Sequence, residues 1–398
     1  MEFSRAVIRK VTPSARCLSS QTVSNPLIRL KTWKTHNNPS TILPRALIHM
    51  SPPKLQNSKY THKEAGLDHS EKYPKWSSPT RGILAKMPHS CIPYAELSRI
   101  EKPGGLYGFY MAYLIGISYG ACLVVPAPAP ATLAGTAGIL LVYNIFLRGA
   151  ACTVNDILDR DYDKQVMRCR NRPVARGAVT PSQAYVWYCT QTVGAGATIT
   201  CLSNPLIALA YAVPIQLIVS LYPLSKRYTD FPQLVLSLPI AGGILMAIAA
   251  IGVDPFHMPT SAFTGATASL FLSHYIWTTI FDYVNACQDT TDDLKAGVRS
   301  MAVRYQNTAA FISILGTAQV GCLAITGVLA GFSPVYFISA VGGNIAWLGC
   351  MVKTVKRSRP KTCAWWFSWG GLLVSGTTTL ALLAEYAYKE ENRDEHLE

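Results

Sequence analysis

Nine apolar segments, each about 20 residues long and so able to cross a bilayer, follow one another through most of this 398-residue chain. Only 15% of the residues are charged and 49% are hydrophobic, whereas a soluble chain would carry charge on about a quarter of its residues. The sequence therefore predicts an all-α, multipass membrane helical bundle of about nine transmembrane helices. The segments cover roughly residues 104 to 125, 131 to 154, 182 to 202, 205 to 222, 232 to 252, 262 to 284, 308 to 331, 333 to 352 and 363 to 384.

The charges of the loops alternate along the chain. The loops after the second, fourth, sixth and eighth segments hold six, two, three and five Lys or Arg residues, while the other loops are almost bare. Positively charged loops tend to stay on the cytoplasmic side of a membrane. The pattern thus places the amino terminus and these four loops on one face and the acidic carboxyl end on the other. It indicates a lipid bilayer as a partner, and no nucleic-acid partner is predicted.

The two ends of the chain differ in composition from its middle. Residues 1–36 contain seven Lys or Arg and a single acid, which is typical of a mitochondrial transit peptide and equally of a disordered basic arm. We therefore expect three parts, namely a basic, largely disordered segment with a linker over 1–90, a transmembrane domain over 91–388 and an acidic tail over 389–398.

A short acidic stretch, NDILDRDYD at residues 155–163, directly follows the second apolar segment. If that helix continues at 100° per residue and Asn155 is taken as zero, Asp159 lies at about 40°, Asp163 at about 80° and Asp156 at about 100°. Asp161 points away, at about 240°. Four oxygen-bearing side chains are therefore predicted to share one face of the helix.

A second acidic stretch, NACQDTTDD at residues 285–293, follows the sixth segment and repeats this spacing. Asn285, Asp289 and Asp293 are spaced i, i+4, i+8, as are Asn155, Asp159 and Asp163. The two stretches lie four segments apart and on the same membrane face by the charge pattern. The sequence thus predicts an internal repeat with two facing carboxylate clusters.

Clustered carboxylates repel one another unless a cation neutralises them. Mg²⁺ does this, and it prefers one or two carboxylates together with the oxygens of a substrate phosphate. The pattern thus favours a magnesium diphosphate site at the mouth of an apolar bundle, which points to an isoprenoid substrate. The alternative is that these are solvated loop charges. The candidate substrate-binding residues here are Asn155, Lys164, Arg168, Arg172, Lys226, Arg227, Asn285 and Lys295.

The two acidic stretches also carry a family resemblance. NDILDRDYD resembles the NDxxDxxxD motif, and DTTDD the DxxxD motif, of the UbiA superfamily of intramembrane prenyltransferases, over about residues 92 to 384. The resemblance implies that Mg²⁺ activates a prenyl diphosphate and that an aromatic acceptor attacks the resulting allylic cation. The implied metal ligands are Asn155, Asp156, Asp159, Asp163, Asp289 and Asp293, and the five aspartates among them are the implied catalytic residues.

The stretch YAELSRIEKPGG at residues 94–105 precedes the first segment and is expected to form an amphipathic interfacial helix. Within it, Arg99 and Lys102 are candidates for binding an acceptor carboxylate or a phosphate, and equally for anchoring the chain at the membrane interface. The residue that accepts the proton of the aromatic ring is not identified by any pattern in the sequence.

Longer stretches refine the resemblance. RGAACTVNDILDRDYDKQVMRCRNRPVARGAVT and YPLSKRYTDFPQ look like the 4-hydroxybenzoate polyprenyltransferase group, while RIEKPGGLYGFYMAYLIG is more similar to the fungal branch that prenylates aromatic polyketides for meroterpenoids. One departure is that NACQD stands where the ubiquinone-type pattern has YAHQD, so Asn285 and Cys287 replace Tyr and His.

The resulting expectation is an enzyme that transfers a farnesyl or similar group to an aromatic acid or phenol of polyketide type, in meroterpenoid secondary metabolism in the ER or Golgi. The alternative is a mitochondrial 4-hydroxybenzoate polyprenyltransferase of ubiquinone synthesis in the inner membrane. A multipass transporter is a remote third hypothesis, because the centres of the spans are almost free of charge.

Overall fold

A computed structural model describes residues 76–257 and 260–394 of the chain, with side chains as far as Asn392. Most of the basic segment predicted over 1–90, and the end of the acidic tail, lie outside these described residues. Within them every regular element is a helix and none is a strand, which confirms the all-α prediction.

Prolines mark the starts of many helices. Seven of the fifteen α-helices begin with Pro, which lacks an N–H and has the φ angle that the first turn of a helix requires. A 3₁₀ turn covers Leu84–Lys86, and π-helical segments cover Phe337–Gly342 and Gly371–Ser375. The α-helices are α1 Ile92–Leu97, α2 Pro103–Ala121, α3 Pro130–Leu158, α4 Arg160–Asp163, α5 Pro181–Ile199, α6 Pro205–Tyr228, α7 Pro232–Ala250, α8 Ser261–Ala286, α9 Thr290–Ala296, α10 Met301–Arg304, α11 Thr308–Ala330, α12 Pro334–Tyr336, α13 Gly343–Thr354, α14 Pro360–Gly370 and α15 Gly376–Asp394.

Six helical stretches of the described chain are long and apolar enough to cross a membrane, so the chain is an integral, multipass membrane protein. The predicted count of nine remains a prediction for the other three segments, which coincide with α2, α5 and α8. Thirteen of the 19 residues of α2 are buried against protein, so close packing rather than contact with lipid governs its composition. The six stretches are Pro130–Leu158, Pro205–Tyr228, Pro232–Ala250, Thr308–Ala330, Pro334–Thr354 and Pro360–Asn392.

Helix α2 lies at the centre of the packing and contacts α3, α7 and α15. Small residues permit its close approach to α7, because a Cβ atom at Gly116 would collide with the backbone of Ile244. Such small-residue contacts are the usual means by which helices associate in lipid, where apolar burial gives little drive. The pairs α3 and α5, α6 and α7, and α8 and α11 pack against each other around this centre.

Helix α3 ends at Leu158, but the backbone keeps its helical spacing through the first acidic stretch. The Asp159 N–H donates to the Asn155 carbonyl at 2.8 Å, and the Asp163 N–H donates to the Asp159 carbonyl at 2.8 Å. The second stretch is less regular, because the Asp289 N–H donates to Ala286, only three residues back, at 3.1 Å. The helix thus breaks between α8 and α9, and Asp289 becomes the N-cap residue of α9.

The interfacial helix predicted over 94–105 is interrupted. Helix α1 ends at Leu97, and a turn over residues 98–102 separates it from α2. The helical conformation is disfavoured for a residue that precedes proline, and here Lys102 precedes Pro103. Arg99 has a φ of +54° and is the only non-glycine residue of the described chain with positive φ, so the helix cannot continue through this residue.

Candidate active site

The two acidic stretches meet at one end of the bundle and line a common cavity of about 140 Å³, here called the acidic cavity. Helix α3 with α4 and the α8–α9 break supply much of the lining, and the end of α6, the start of α7 and the loops after α4 and α9 supply the rest. The Asp and Asn residues that line it are Asn155, Asp159, Asp163, Asp282, Asn285, Asp289 and Asp293.

Each lining carboxylate of the first stretch is buried and paired with a cation. Asp159 accepts from Lys226 Nζ at 2.6 Å, and Asp163 accepts from Arg172 Nη1 at 2.9 Å. The side-chain amide of Asn155 lies 3.3 Å from Lys226 Nζ. Buried charges are stable only when paired in this way, so the cations of α6 and of the α4–α5 loop allow the acids to stay inside the protein.

The α4–α5 loop also reaches across to the second stretch. Both oxygens of Asp289 accept from the Arg168 guanidinium, at 2.5 to 3.0 Å, and the backbone N–H of Met167 donates to Asp292 at 3.3 Å. Bidentate pairs of this kind are the stronger and more directional form of the Arg–carboxylate interaction. Arg168 therefore ties the loop that follows the first acidic stretch to the second stretch.

Two acids in the cavity hold their protons more tightly than usual. Burial raises the pKa of Asp163 to about 6, although Arg172 acts in the opposite direction. Burial also raises the pKa of Asp293 to about 7, and the neighbouring charge of Asp289 adds to the effect. Both residues lie outside the membrane-spanning helices, at the mouth of the bundle, and raised carboxylate pKa values are frequent at functional sites.

A second cavity of about 170 Å³, here called the aromatic cavity, adjoins the acidic cavity. Its walls carry the rings of Phe109, Phe281 and Phe367, of which the last two stack with centroids 4.9 Å apart. Arg99 and Lys102, on the turn before α2, and Arg148, on α3, also line it. Six residues line both cavities and so form the boundary between them, namely Asn155, Arg168, Arg172, Tyr222, Asp282 and Asn285.

Most of the residues predicted for the site line one of these cavities. Arg99 and Lys102 line the aromatic cavity, and Asp156 lines neither. Lys164 is exposed and pairs with the equally exposed Asp161. Two further candidates also lie away from the cavities, since Arg227 donates to the Leu158 carbonyl at 2.7 Å and Lys295 is exposed on α9. The predicted residues that line the acidic cavity are Asn155, Asp159, Asp163, Arg168, Arg172, Lys226, Asn285, Asp289 and Asp293.

The sequence analysis missed several residues of the two cavities. Asp282 lines both, and it could have been found, because it stands three and seven residues before Asn285 and Asp289 on a helical face. Arg148 could have been found in the same way, seven residues before Asn155. The three phenylalanines carried no signal, because a lone aromatic residue in an apolar span is typical of any packed helix.

The donor set of the acidic cavity fits a divalent metal ion bound together with a phosphate. In the described chain, no three His, Cys, Asp or Glu side chains form a ready-made metal cage. Mg²⁺ seldom uses such a cage and is usually bound by one or two carboxylates with water and phosphate oxygens. Asp159 Oδ1 is buried and has no hydrogen-bond partner in the described structure, so the first stretch offers a free carboxylate oxygen.

Comparison with known sequences identifies a family and several related proteins. A model of the UbiA prenyltransferase family matches residues 113–376. The prenyltransferase ascA of Acremonium egyptiacum is 34% identical over 288 residues, which cover 71% of this chain and 82% of the relative. The polyprenyl transferase ausN of Penicillium brasilianum is 37% identical, with 68% and 83% covered. The DMOA farnesyltransferase nvfB of Aspergillus novofumigatus is 34% identical, with 68% and 84% covered.

The fold is also shared with solved structures. A UbiA homolog from Archaeoglobus fulgidus bound to GPP and Mg²⁺ has a TM-score of 0.54 at 15% identity, covering 73% of this chain and 99% of the homolog. The same homolog bound to DMAPP and Mg²⁺ has a TM-score of 0.53 at 16% identity, with 73% and 99% covered. At this level of identity the likeness concerns the fold alone.

Proposed function

The chain belongs to the UbiA prenyltransferase family and is a prenyltransferase, and on that premise we propose that it transfers a prenyl group from a prenyl diphosphate to an aromatic acid or phenol of polyketide type, with Mg²⁺. Membership of a family of enzymes leaves no reason to retain the transporter hypothesis. The observation that carries the proposal is the boundary shared by the two cavities, because a prenyl diphosphate needs a charged site for its diphosphate beside an apolar site for the carbon that reacts.

Two groups of residues would hold Mg²⁺ in the acidic cavity, one from each acidic stretch. When bound, Mg²⁺ would neutralise the diphosphate and so make it a better leaving group. The chain contributes oxygen ligands of the type that Mg²⁺ prefers, and the amide of Asn155 adds one without further negative charge. The proposed ligands are Asn155, Asp159, Asp163, Asp289 and Asp293.

Three cations are placed to hold the diphosphate itself. Arg168, Arg172 and Lys226 line the acidic cavity, and each is paired with one of the acids there. If a metal ion takes over the acids, these cations are free to donate to diphosphate oxygens, which accept charge-assisted hydrogen bonds strongly. Each cation therefore has a partner whether or not the metal ion and the diphosphate are bound, first an acid and then a diphosphate oxygen.

The aromatic cavity suits the carbon chemistry. Phe109, Phe281 and the ring of Tyr222 line it, and aromatic faces stabilise a nearby positive charge such as that of an allylic cation. Apolar walls also exclude water, which would otherwise capture the cation. Cleavage of the allylic carbon–oxygen bond would release the diphosphate into the acidic cavity and leave this cation. Attack by the ring of the acceptor then forms the new carbon–carbon bond, and loss of a ring proton restores aromaticity.

The acceptor end of the site is proposed to lie beside Arg99 and Lys102, which line the same cavity as the aromatic rings. A cation beside stacked rings suits an aromatic acid, since the carboxylate pairs with the charge and the ring packs on the phenylalanines. The name of one relative states that it is a farnesyltransferase, and this favours a farnesyl or similar donor and a role in meroterpenoid secondary metabolism.

The alternative within the family is the mitochondrial 4-hydroxybenzoate polyprenyltransferase. The segment 1–36 that would decide it lies outside the described residues, so location is the discriminating observation. A tagged chain in the ER or Golgi would favour secondary metabolism, and one in the mitochondrial inner membrane would favour ubiquinone synthesis.

Membranes containing the chain should be assayed with a panel of prenyl diphosphates and aromatic acids, with and without Mg²⁺. We expect transfer of a prenyl group to a polyketide-type aromatic acid, only when Mg²⁺ is present. Transfer to 4-hydroxybenzoate in preference to all other acceptors would support the ubiquinone alternative. Absence of transfer with every pair, in membranes where a known prenyltransferase is active, would contradict the proposal.

A further inference from the structure

Asp156 differs from the other acids of the first stretch in where its carboxylate lies. Its side chain is fully buried and lines neither cavity. Its Oδ1 accepts from Arg99 Nη2 at 2.6 Å and lies 3.3 Å from Arg172 Nη1. The charge of Asp156 is therefore directed at two arginines that themselves line the aromatic cavity, whereas Asp159 and Asp163 line the acidic cavity directly.

Arg99, the nearer of the two arginines, has a strained backbone conformation. Its φ of +54° lies in the left-handed region, which costs energy for any residue with a Cβ and persists only where the surroundings enforce it. Arg148 supports this conformation, because it donates to the carbonyls of Arg99 at 3.0 Å and of Lys102 at 2.7 Å.

Asp156 fixes the side chain of the same residue. The Arg99 guanidinium donates to Asp156 with one nitrogen and, with the other, to the Glu96 carbonyl at 2.6 Å. A long side chain held at both terminal nitrogens loses its rotational freedom, and its charge has one position in the aromatic cavity. Backbone strain held in place at a functional site is a recognised form of preorganisation.

We infer that Asp156 is a positioning residue for the acceptor, which holds the Arg99 guanidinium in the aromatic cavity, and that it is not a metal ligand with Asp159 and Asp163. The inference rests on the proposed function, and it changes the role that the sequence motif implies for this residue. Asp156 Oδ2 has no hydrogen-bond partner in the described structure, so the competing role as a ligand leads to a different and measurable outcome.

The test compares Asp156→Asn with Asp159→Asn and, as a matched control on the same stretch, Asp161→Asn. For each intact protein we would measure the acceptor KM, the donor KM and the Mg²⁺ concentration for half-maximal activity. We expect Asp156→Asn to raise the acceptor KM by about 10- to 100-fold, the scale of a misplaced positioning group, and to leave the Mg²⁺ requirement within about twofold. Asp159→Asn should raise the Mg²⁺ requirement instead, and Asp161→Asn should change neither quantity.

A second readout does not depend on turnover. Mg²⁺ together with inorganic diphosphate should raise the Tm of the wild type and of Asp156→Asn alike, and should raise that of Asp159→Asn much less. If Asp156→Asn does not accumulate as folded protein, Arg99→Gln tests the same contact from the other side. It should reproduce the acceptor defect and keep the Tm increase.

Two results would overturn the inference. One is a Mg²⁺ requirement that rises in Asp156→Asn as much as in Asp159→Asn, and the other is an acceptor KM that Arg99→Gln leaves unchanged. Failure of the proposed function would look different, because the wild type itself would then transfer no prenyl group to any acceptor.

Discussion

Lys226, near the end of α6, donates to Asp159 Oδ2 at 2.6 Å and so joins the fourth predicted span to the first acidic stretch. Asp159 is only 3% exposed, and a carboxylate at that depth needs a cation close to it. The same ammonium group lines the acidic cavity. One residue therefore stabilises a buried acid and lines the cavity in which we propose that the diphosphate binds.

Replacing Lys226 with Met should impair both roles. We expect the donor KM to rise about 10-fold or more and the free energy of unfolding to fall by up to about 3–5 kcal/mol, because a buried acid is left unpaired. Lys164→Met is the matched control, since Lys164 pairs with an acid on the exposed surface. Steady-state kinetics and thermal unfolding measure the two effects, and equal effects at the two positions would contradict the role given to Lys226.

Helical spacing predicts the three residues of the first stretch that line the acidic cavity on one face, but it also places Asp156 there, which lines neither cavity. Asn155, Asp159 and Asp163 share a face because each is joined to the next by a local backbone hydrogen bond, and local geometry is what periodicity reports. The all-helical fold followed from the apolar segments for the same reason. The second stretch was predicted to have the same spacing, but the break before Asp289 shows that spacing does not guarantee a continuous helix.

Contacts between distant parts of the chain were beyond prediction. Asp156 and Asp163 differ by about 20° on a helical wheel, yet Asp156 lines neither cavity and pairs with Arg99, which is 57 residues away. Arg168 was predicted to bind substrate, but its pairing with Asp289, 121 residues away, depends on how the α4–α5 loop folds. No periodic pattern specifies such a loop, because its turns follow local side-chain chemistry and tertiary packing.

Acids that line the acidic cavity should matter more for turnover than an acid that points away from it. Asp159→Ala and Asp289→Ala should each lower turnover by roughly 10² or more, the scale observed when one preorganised electrostatic group is removed. Asp161→Ala should cost much less, because the side chain of Asp161 is 73% exposed, pairs with Arg160 and Lys164, and lines neither cavity. Assays of the three variants at saturating Mg²⁺ measure this, and equal losses at Asp159 and Asp161 would refute the assignment of the cavity face.

The metal requirement should depend on pH. A chelator should abolish activity and added Mg²⁺ should restore it, and full turnover in the chelator would refute the diphosphate site. The pKa of Asp163 is raised to about 6 and that of Asp293 to about 7. Both acids are therefore partly protonated below neutral pH, and a proton competes with the metal for the carboxylate oxygens. The Mg²⁺ concentration for half-maximal activity should fall as the pH rises from about 6 to about 8, and a requirement that stays flat or rises would exclude these two acids as ligands.

Asn285 is the position at which this chain departs from the ubiquinone-type pattern, and the structure gives it two neighbours of different kinds. It lines both cavities. Its amide nitrogen lies 3.5 Å from Asp282 Oδ1, and its amide oxygen accepts from Gln288 at 3.1 Å. The amide thus stands at the boundary, where it can contact either the diphosphate or the aromatic acceptor.

Two substitutions separate these roles. If the amide contacts the diphosphate or its metal ion, Asn285→Leu should raise the donor KM and the Mg²⁺ requirement and leave the choice of acceptor alone, because it removes the hydrogen-bonding groups and keeps a similar volume. If the side chain instead shapes the acceptor end, Asn285→Tyr should change which aromatic acid is used, with little effect on Mg²⁺, because the larger ring would project into the aromatic cavity. Acceptor panels and Mg²⁺ titrations of both variants decide between the two roles. A pair of variants that behaves like the wild type in both measurements would show that Asn285 only fills space at the end of α8.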